Sequence, residues 1–269
     1  MDPAKPAHRA RKWRQIQIAF LALHGKGGED GAIQRVLERD QIPYTGSGPQ
    51  ASSAAFDKKK SKKLFEANGI PTPEYRILNA RNWRRQIQTL PTPFFIKPFA
   101  DGSSVGVFCV KNLVRSRKRI QRAVAKYREI MAEKRIFGKE VTIGIIGKKA
   151  LAVIELRPKR DFYDYKAKYT KGMTEYIVPA QIPIKSAKQL QRLALRVHRK
   201  LGLRDISRVD MMLDQTGRPY VLEANSIPGM TELSLVPKAA RACGISFEAV
   251  CEKLLGMSLK RHLRKGLGA

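Results

Sequence analysis

The 269 residues are 43% hydrophobic but only 7% aromatic, enough apolar surface for a sizeable core in one or two domains. No run approaches the roughly eighteen apolar residues of a membrane span, and the scattered Cys109, Cys243 and Cys251 offer neither a disulfide framework nor a zinc-ligand spacing. Lys and Arg number 53 against 23 Asp and Glu, and the resulting +30 charge attracts polyanions. It is spread along the chain without interleaved aromatics, so it reads as solvated faces before it reads as a nucleic-acid groove.

In chain order, residues 1–15 are basic and carry no signal-peptide pattern. Residues 16–23 read as a strand, the glycine-rich turn from His24 to Gly31 follows, and residues 32–39 read as a helix leading to a short strand, one βαβ piece of a parallel sheet. Helices are expected near 49–56 and 58–68, the second stopped by Gly69 and the Pro71-Thr72-Pro73 turn. A strand at 75–78, a helix at 80–88 and a strand at 94–97 precede a glycine and serine loop at 101–106 and a strand at 107–110. Beyond a basic helix at 113–128, residues 130–157 are strand-rich with a turn at Gly147, and a polar, aromatic loop covers 158–172. A helix at 186–201, two apolar strands within 207–225, and helices at 235–242 and 247–255 complete the chain. The architecture expected is α/β passing into α+β, in about three small lobes.

The most informative stretch is the hairpin from Ser207 to Asn225. If residues 214–217 form a four-residue loop, Leu213 faces Arg218 and Arg208 lies opposite Glu223. Strand alternation then puts Arg208, Asp210, Glu223 and Asn225 on one face. Two carboxylates and an amide there form an oxygen-only ligand set suited to Mg²⁺, although a structural surface hairpin shows the same alternation. A one-residue change in loop length moves half the set to the other face.

Other segments carry what a nucleotide needs. Lys97 ends a strand, Lys58 opens a helix and Lys168 lies in the aromatic loop, so three point charges can reach phosphate oxygens. Gly102-Ser-Ser-Val-Gly106 has the small residues of a phosphate-covering loop, though such a run is more often only a turn. Glu133-Lys134 closes a strand and can meet a base or ribose, or can be a structural edge. Met212, on the face of Asp210, can bed an adenine ring or simply pack.

Together these residues resemble the D-alanine:D-alanine ligases of the ATP-grasp superfamily over about 20–257. The likeness rests on seven ordered runs: His24-Gly-x-x-Gly-Glu-Asp-Gly31, Ile42-Pro-Tyr-Thr-Gly-Ser-Gly48, Asp57-Lys58, Ile96-Lys-Pro98 with the 102–106 loop, Phe162-Tyr-Asp-Tyr-x-Ala-Lys-Tyr169, Ser207-Arg-Val-Asp210, and Glu223-Ala-Asn-x-x-Pro-Gly-Met-Thr231 with Ser234-Leu-x-Pro237. The resemblance implies an ATP-grasp fold and ATP-dependent joining of two D-alanines through an acyl phosphate for peptidoglycan synthesis. It implies ATP and two Mg²⁺ ions, or Mn²⁺ in their place, held by Asp210, Glu223 and Asn225 with Glu223 bridging. Lys58, Lys97 and Lys168 would touch phosphates, Glu133 and Glu140 the hinge and ribose, and Lys134 the adenine. Arg208 and the Gly229 N–H would hold the oxyanion, Ser234 and the Leu235 backbone the second substrate's carboxylate, and His24 the substrate pocket. Residues 163–169 would be a lid, with Ser103 and Tyr169 in its closing hydrogen bonds. The resemblance also implies that Tyr169 goes with an amine acceptor rather than a hydroxy acid.

The resemblance departs at the start. Relatives open with a glycine-rich βαβ unit bearing a substrate-binding glutamate, whereas residues 1–15 hold no glycine and only Asp2 as an acid. This suggests an ATP-grasp fold with a truncated N-terminal parallel-sheet lobe. The expected division is a basic segment 1–15, a partial N-terminal lobe 16–57, a central lobe 58–138 and a C-terminal lobe 139–269 carrying hairpin and lid. The competing reading is a non-catalytic relative that binds nucleotide or polyanions, or a ligase with another first substrate. A cytoplasmic, membrane-free enzyme is expected, with D-alanine and ATP as partners, a homodimer suggested by its relatives, and nucleic acid not favoured.

Overall fold

The alternating strands and helices resolve into two separate antiparallel sheets, preceded by a segment that forms almost no sheet at all. The computed structural model describes residues 15–99, 105–161, 163, 167, 170 and 172–266.

In the N-terminal segment the strand expected over 16–23 is reduced to a single parallel bridge, Ala19 to Tyr44. The cause is local chemistry. The Ala19 N–H donates to Pro43 O (2.8 Å) and Thr45 N–H to Ala19 O (3.1 Å), but Pro43 has no N–H to return, and the Leu21 N–H turns to the Thr45 hydroxyl (3.0 Å). The parallel-sheet lobe predicted here is therefore an extended segment beside helix α1 (Ala32–Arg39), sealed by Leu21, Leu37, Ile42, Tyr44 and Ile227.

Helix α2 (Pro49–Phe56) leads into α3 (Lys58–Ala67) through Asp57, whose carboxylate accepts the N–H groups of Lys59 (2.9 Å) and Lys60 (3.2 Å). The central sheet comprises β1 (Tyr75–Asn79), β2 (Phe94–Lys97), β3 (Phe108–Val110) and β4 (Glu129–Lys134), ordered β1-β4-β2-β3. Helices α4 (Trp83–Gln86) and α5 (Leu113–Tyr127) cover one face, packing Trp83, Ile120 and Val124 on Leu78, Phe94, Ile96 and Ile130. The helix expected over 80–88 is shorter, ending in the 3₁₀ turn Ile87–Thr89. The opposite face, bearing Phe95, Lys97, Met131 and Glu133, is left for the site.

The second sheet holds β5 (Gly138–Ile146), β6 (Lys149–Pro158), β7 (Thr174–Ile177), β8 (Ile206–Asp214) and β9 (Pro219–Asn225), ordered β7-β6-β5-β8-β9. Helix α6 (Ile184–Lys200) buries Leu190, Ala194 and Val197 against Val141, Ile143, Val209 and Met211 on one face. On the other face α7 (Leu235–Arg241) and α8 (Phe247–Gly266) cover Ile146, Leu151 and Ile154, leaving the rest of that face open. Among the described residues no helix is long and apolar enough to cross a membrane.

The β8–β9 hairpin corrects the expected register. Its loop holds three residues, Gln215-Thr216-Gly217, closed by the Asp214 N–H to Arg218 O at 3.0 Å, with Gly217 at φ 83° as the left-handed residue that three-residue hairpins require. Leu213 thus pairs with Pro219, one place beyond the expectation, and a bulge at Leu222 adds a second shift, so that Asp210 faces Glu223 and Arg208 faces Asn225. Either offset alone would have split the four residues between the faces. The two together keep them on one.

Candidate active site

The site grows from four short pieces of sequence. Asp57, as helix cap, sets Lys58 at the first turn of α3, where the Lys58 N–H also donates to Phe99 O (3.0 Å) and its ammonium stands 3.3 Å from Glu223 Oε2. Strand β5 runs beside β8 with Glu140 opposite Met212 and Thr142 opposite Asp210, so all four share a face. The Thr142 hydroxyl donates to Asp210 Oδ1 at 2.5 Å. Arg208 grips the same carboxylate with two parallel bonds, Nε to Oδ1 at 2.9 Å and Nη2 to Oδ2 at 2.8 Å. Burial opposes the guanidinium charge, but Asp210 and Glu223 outweigh it and raise Arg208 above its ordinary pKa.

Two cavities meet here. The first, about 400 Å³, lies between the sheets and brings together Lys58, Lys97, Glu133, Lys134, Glu140, Asp210, Met212 and Glu223. The second, about 470 Å³, is lined by His24, Arg208, Asn225, Gly229, Ser234 and Leu235. Lys58, Tyr163 and Glu223 line both and form the wall between them. Ser103, Lys168 and Tyr169, with most of the expected lid and glycine loop, lie outside the described residues. All other site residues expected from the sequence line one cavity or the other.

Glu133 sits differently from a hydrogen-bonding edge group. It is 1% exposed, with Lys97 donating to Oε1 and Lys62 Nζ 2.5 Å from Oε2, an ion-pair contact outside hydrogen-bond alignment. Burial works against its charge, and the two lysines nonetheless hold it below the usual carboxylate range.

In the second cavity a Cβ on Gly229 would stand 2.8 Å from Ser234 Oγ, so any side chain there would push the Ser234 hydroxyl aside. The Ser234 hydroxyl accepts the Thr231 N–H (3.1 Å), and Asn225 Oδ1 accepts the Ile227 N–H (2.9 Å), which folds the 226–234 loop over the cavity. Tyr163 and Tyr176 share a hydroxyl contact of 3.0 Å, and burial, then Tyr176, pushes the Tyr163 phenol up. His24 lies 3.8 Å from Glu29 and its pKa is raised by that carboxylate.

Sequence reasoning missed Lys62, Thr142, Glu29 and Tyr176. Lys62 was hidden in a basic run read as solvated, yet it lies one turn from Lys58 and on the stripe that buries Ser61 and Phe65. No comparable signal marked Thr142, whose role depends on a neighbouring strand.

Among the described residues no three His, Cys, Asp or Glu cluster as a metal site. The set present is Asp210 and Glu223, direct cross-strand partners, with Asn225 next but one to Glu223. These are hard oxygen donors on one face, and their chemistry fits a hard divalent ion that completes its shell with phosphate oxygens and water.

Comparison with known proteins bears on this geometry. A family model described as D-ala D-ala ligase C-terminus matches residues 64–256, and one described as D-ala D-ala ligase N-terminus matches residues 2–47, a match that reaches into the basic opening segment. The D-alanine–D-alanine ligase of Methylacidiphilum infernorum is 44% identical over 94% of this chain and 82% of its own length. That of Anaeromyxobacter sp. strain Fw109-5 is 42% identical over 97% of this chain and 85% of its own. The crystal structure of the Bacillus anthracis D-alanine–D-alanine ligase complexed with ATP superposes with a TM-score of 0.82 at 32% identity, covering 95% of this chain and 83% of that one.

Proposed function

The chain belongs to the D-alanine–D-alanine ligase family, and on that premise we propose that its paired cavities activate one D-alanine with ATP and join it to a second, supplying D-alanyl-D-alanine for peptidoglycan. The observation that carries this reading is the direct pairing of Asp210, in the first cavity, with Glu223 on the wall between the two, with Arg208 clamped beside Asp210.

ATP occupies the first cavity. Lys58 and Lys97, with Lys168, meet its phosphates, Glu140 its ribose, and Lys134 and Met212 the region of its base, with Glu133 held behind Lys97 as its counter-ion. Asp210, Glu223 and Asn225 would hold two Mg²⁺ ions, or Mn²⁺. When bound, such ions neutralise phosphate oxygens and align them for in-line displacement.

The reaction has two steps. An oxygen of the first D-alanine carboxylate attacks the γ-phosphorus, its bond to ADP breaks, and an acyl phosphate forms. The amine of the second D-alanine, seated through its carboxylate by Ser234 and the Leu235 backbone, then attacks the acyl carbon. Arg208 and the Gly229 N–H take the negative charge on the carbonyl oxygen, about 3 kcal/mol for each donor in comparable sites. Inorganic phosphate departs, and the ammonium proton passes to phosphate or water.

His24 belongs to the substrate pocket of the second cavity, and Tyr163 shields the shared wall. Ser103 and Tyr169 serve lid closure, which keeps water from the acyl phosphate. Tyr169 favours an amine over a hydroxy acid as acceptor. The reaction is placed in the cytoplasm, where ATP is available, and the lobes are divided at 1–15, 16–57, 58–138 and 139–269.

The test is phosphate release from Mg-ATP, which should require D-alanine and yield a dipeptide, with L-amino acids and hydroxy acids as a comparison panel. Glu223→Gln should abolish turnover while leaving the circular-dichroism spectrum unchanged. Wild-type turnover in that variant would remove the metal assignment, and nucleotide binding without any amino-acid-stimulated release would remove the ligase reading.

A further inference from the structure

Lys62 has no part in the reaction above, yet it is 0% exposed and sits directly behind it. A buried ammonium is costly unless its partners are well placed. Lys62 has two: Glu133 Oε2 at 2.5 Å, and the Thr72 hydroxyl, to which it donates. Thr72 in turn donates to Val221 O at 2.7 Å, tying the ammonium to strand β9, and the Tyr75 ring stands 5.8 Å away.

Glu133 is thus a sealed carboxylate between two ammonium groups, and only one of them, Lys97, lines the first cavity. Counted as ions, Lys62, Glu133 and Lys97 together carry one positive charge, whereas Lys97 and Glu133 alone would carry none. Burial draws the Lys62 pKa down while Glu133 opposes it, and Glu133 stays ionised between the two lysines.

We propose that Lys62 is a positioning residue for ATP: by occupying one oxygen of Glu133 it prevents that carboxylate from neutralising Lys97, so that Lys97 presents a full positive charge to the phosphates. This rests on the ligase reading of the cavity. It also explains why a residue one helical turn from Lys58 is buried rather than solvated.

The test uses the full chain, with ATP affinity measured by displacement of a fluorescent ATP analogue alongside KM for ATP and for D-alanine. Lys62→Met should weaken ATP about tenfold, the scale of one partly screened unit charge, and leave the KM for D-alanine unchanged. Lys62→Met combined with Glu133→Gln restores the single positive charge on Lys97 and should return ATP affinity to within about threefold of the starting chain. Unchanged affinity in a folded Lys62→Met protein overturns the proposal. So does a doubly substituted chain as weak as the single, with both substrates and Tm affected alike, because that pattern belongs to a purely structural lysine. Should Lys62→Met alone not fold, the double variant still decides by the same affinity criterion. The unsubstituted chain separates the two claims: absence of D-alanine-dependent phosphate release removes the ligase reading, while the binding comparison judges Lys62.

Discussion

Acidification should unfold this protein through a histidine remote from the chemistry. His198 lies on α6 and is 4% exposed, its Nδ1 2.7 Å from the Ser207 hydroxyl at the start of the strand that carries Arg208 and Asp210. Burial lowers its pKa from 6.5 to about 4, with Asp205 pulling weakly the other way. In the unfolded chain the ring titrates near its ordinary value. Above pH 6.5 both states are neutral and the histidine costs nothing. As pH falls from 6.5 toward 4 only the unfolded state takes the proton, so stability drops through that window and levels off below it. A depression of this size corresponds to about 3 kcal/mol, of which about 2 kcal/mol is gone by about pH 5. His198→Asn keeps a polar atom opposite Ser207 and removes the titration. Urea midpoints of both proteins at about pH 7.5 and about pH 5 give the difference directly. The variant should lose about 2 kcal/mol less than the wild type over that interval. Parallel losses in the two proteins would refute the assignment of His198 as a buried neutral ring.

Two further substitutions probe the site from either cavity. Thr142→Val removes the hydroxyl that fixes Asp210 Oδ1, and the Mg²⁺ concentration for half-maximal phosphate release should rise about tenfold, as for other residues that orient metal ligands. An unmoved midpoint would argue against Asp210 as a ligand. Gly229→Ala drives a methyl group to 2.8 Å from Ser234 Oγ, which should raise the KM for the acceptor D-alanine by about tenfold or more with ATP affinity unchanged. A KM equal to the wild type would place the acceptor carboxylate elsewhere.

Much of the site is legible in the sequence alone. Lys58 at a helix start, Lys97 at a strand end, and the alternation that gathers Arg208, Asp210, Glu223 and Asn225 are all short-range features. Each follows from the period of a strand or the chemistry of a helix end, so a run of a few residues contains the whole cause. The run at 16–23 is apolar enough for a strand, but Pro43, on the opposite segment, removes the donor a ladder needs. The hairpin face was read correctly on a register that was wrong by two, since a shift of two restores side-chain orientation.

The residue types and their local spacing therefore carried the family resemblance, the places of Lys58 at a helix start and Lys97 at a strand end, and the shared face of the acidic pair. Only the tertiary structure decided which groups neutralise one another: that Glu133 lies between Lys62 and Lys97, that Thr142 holds Asp210, and that Lys58, Tyr163 and Glu223 form one wall between two cavities. The physical reason is range. Periodicity and capping act over a turn or a strand, whereas the charge a side chain shows to a ligand depends on burial and on partners brought from distant segments by packing.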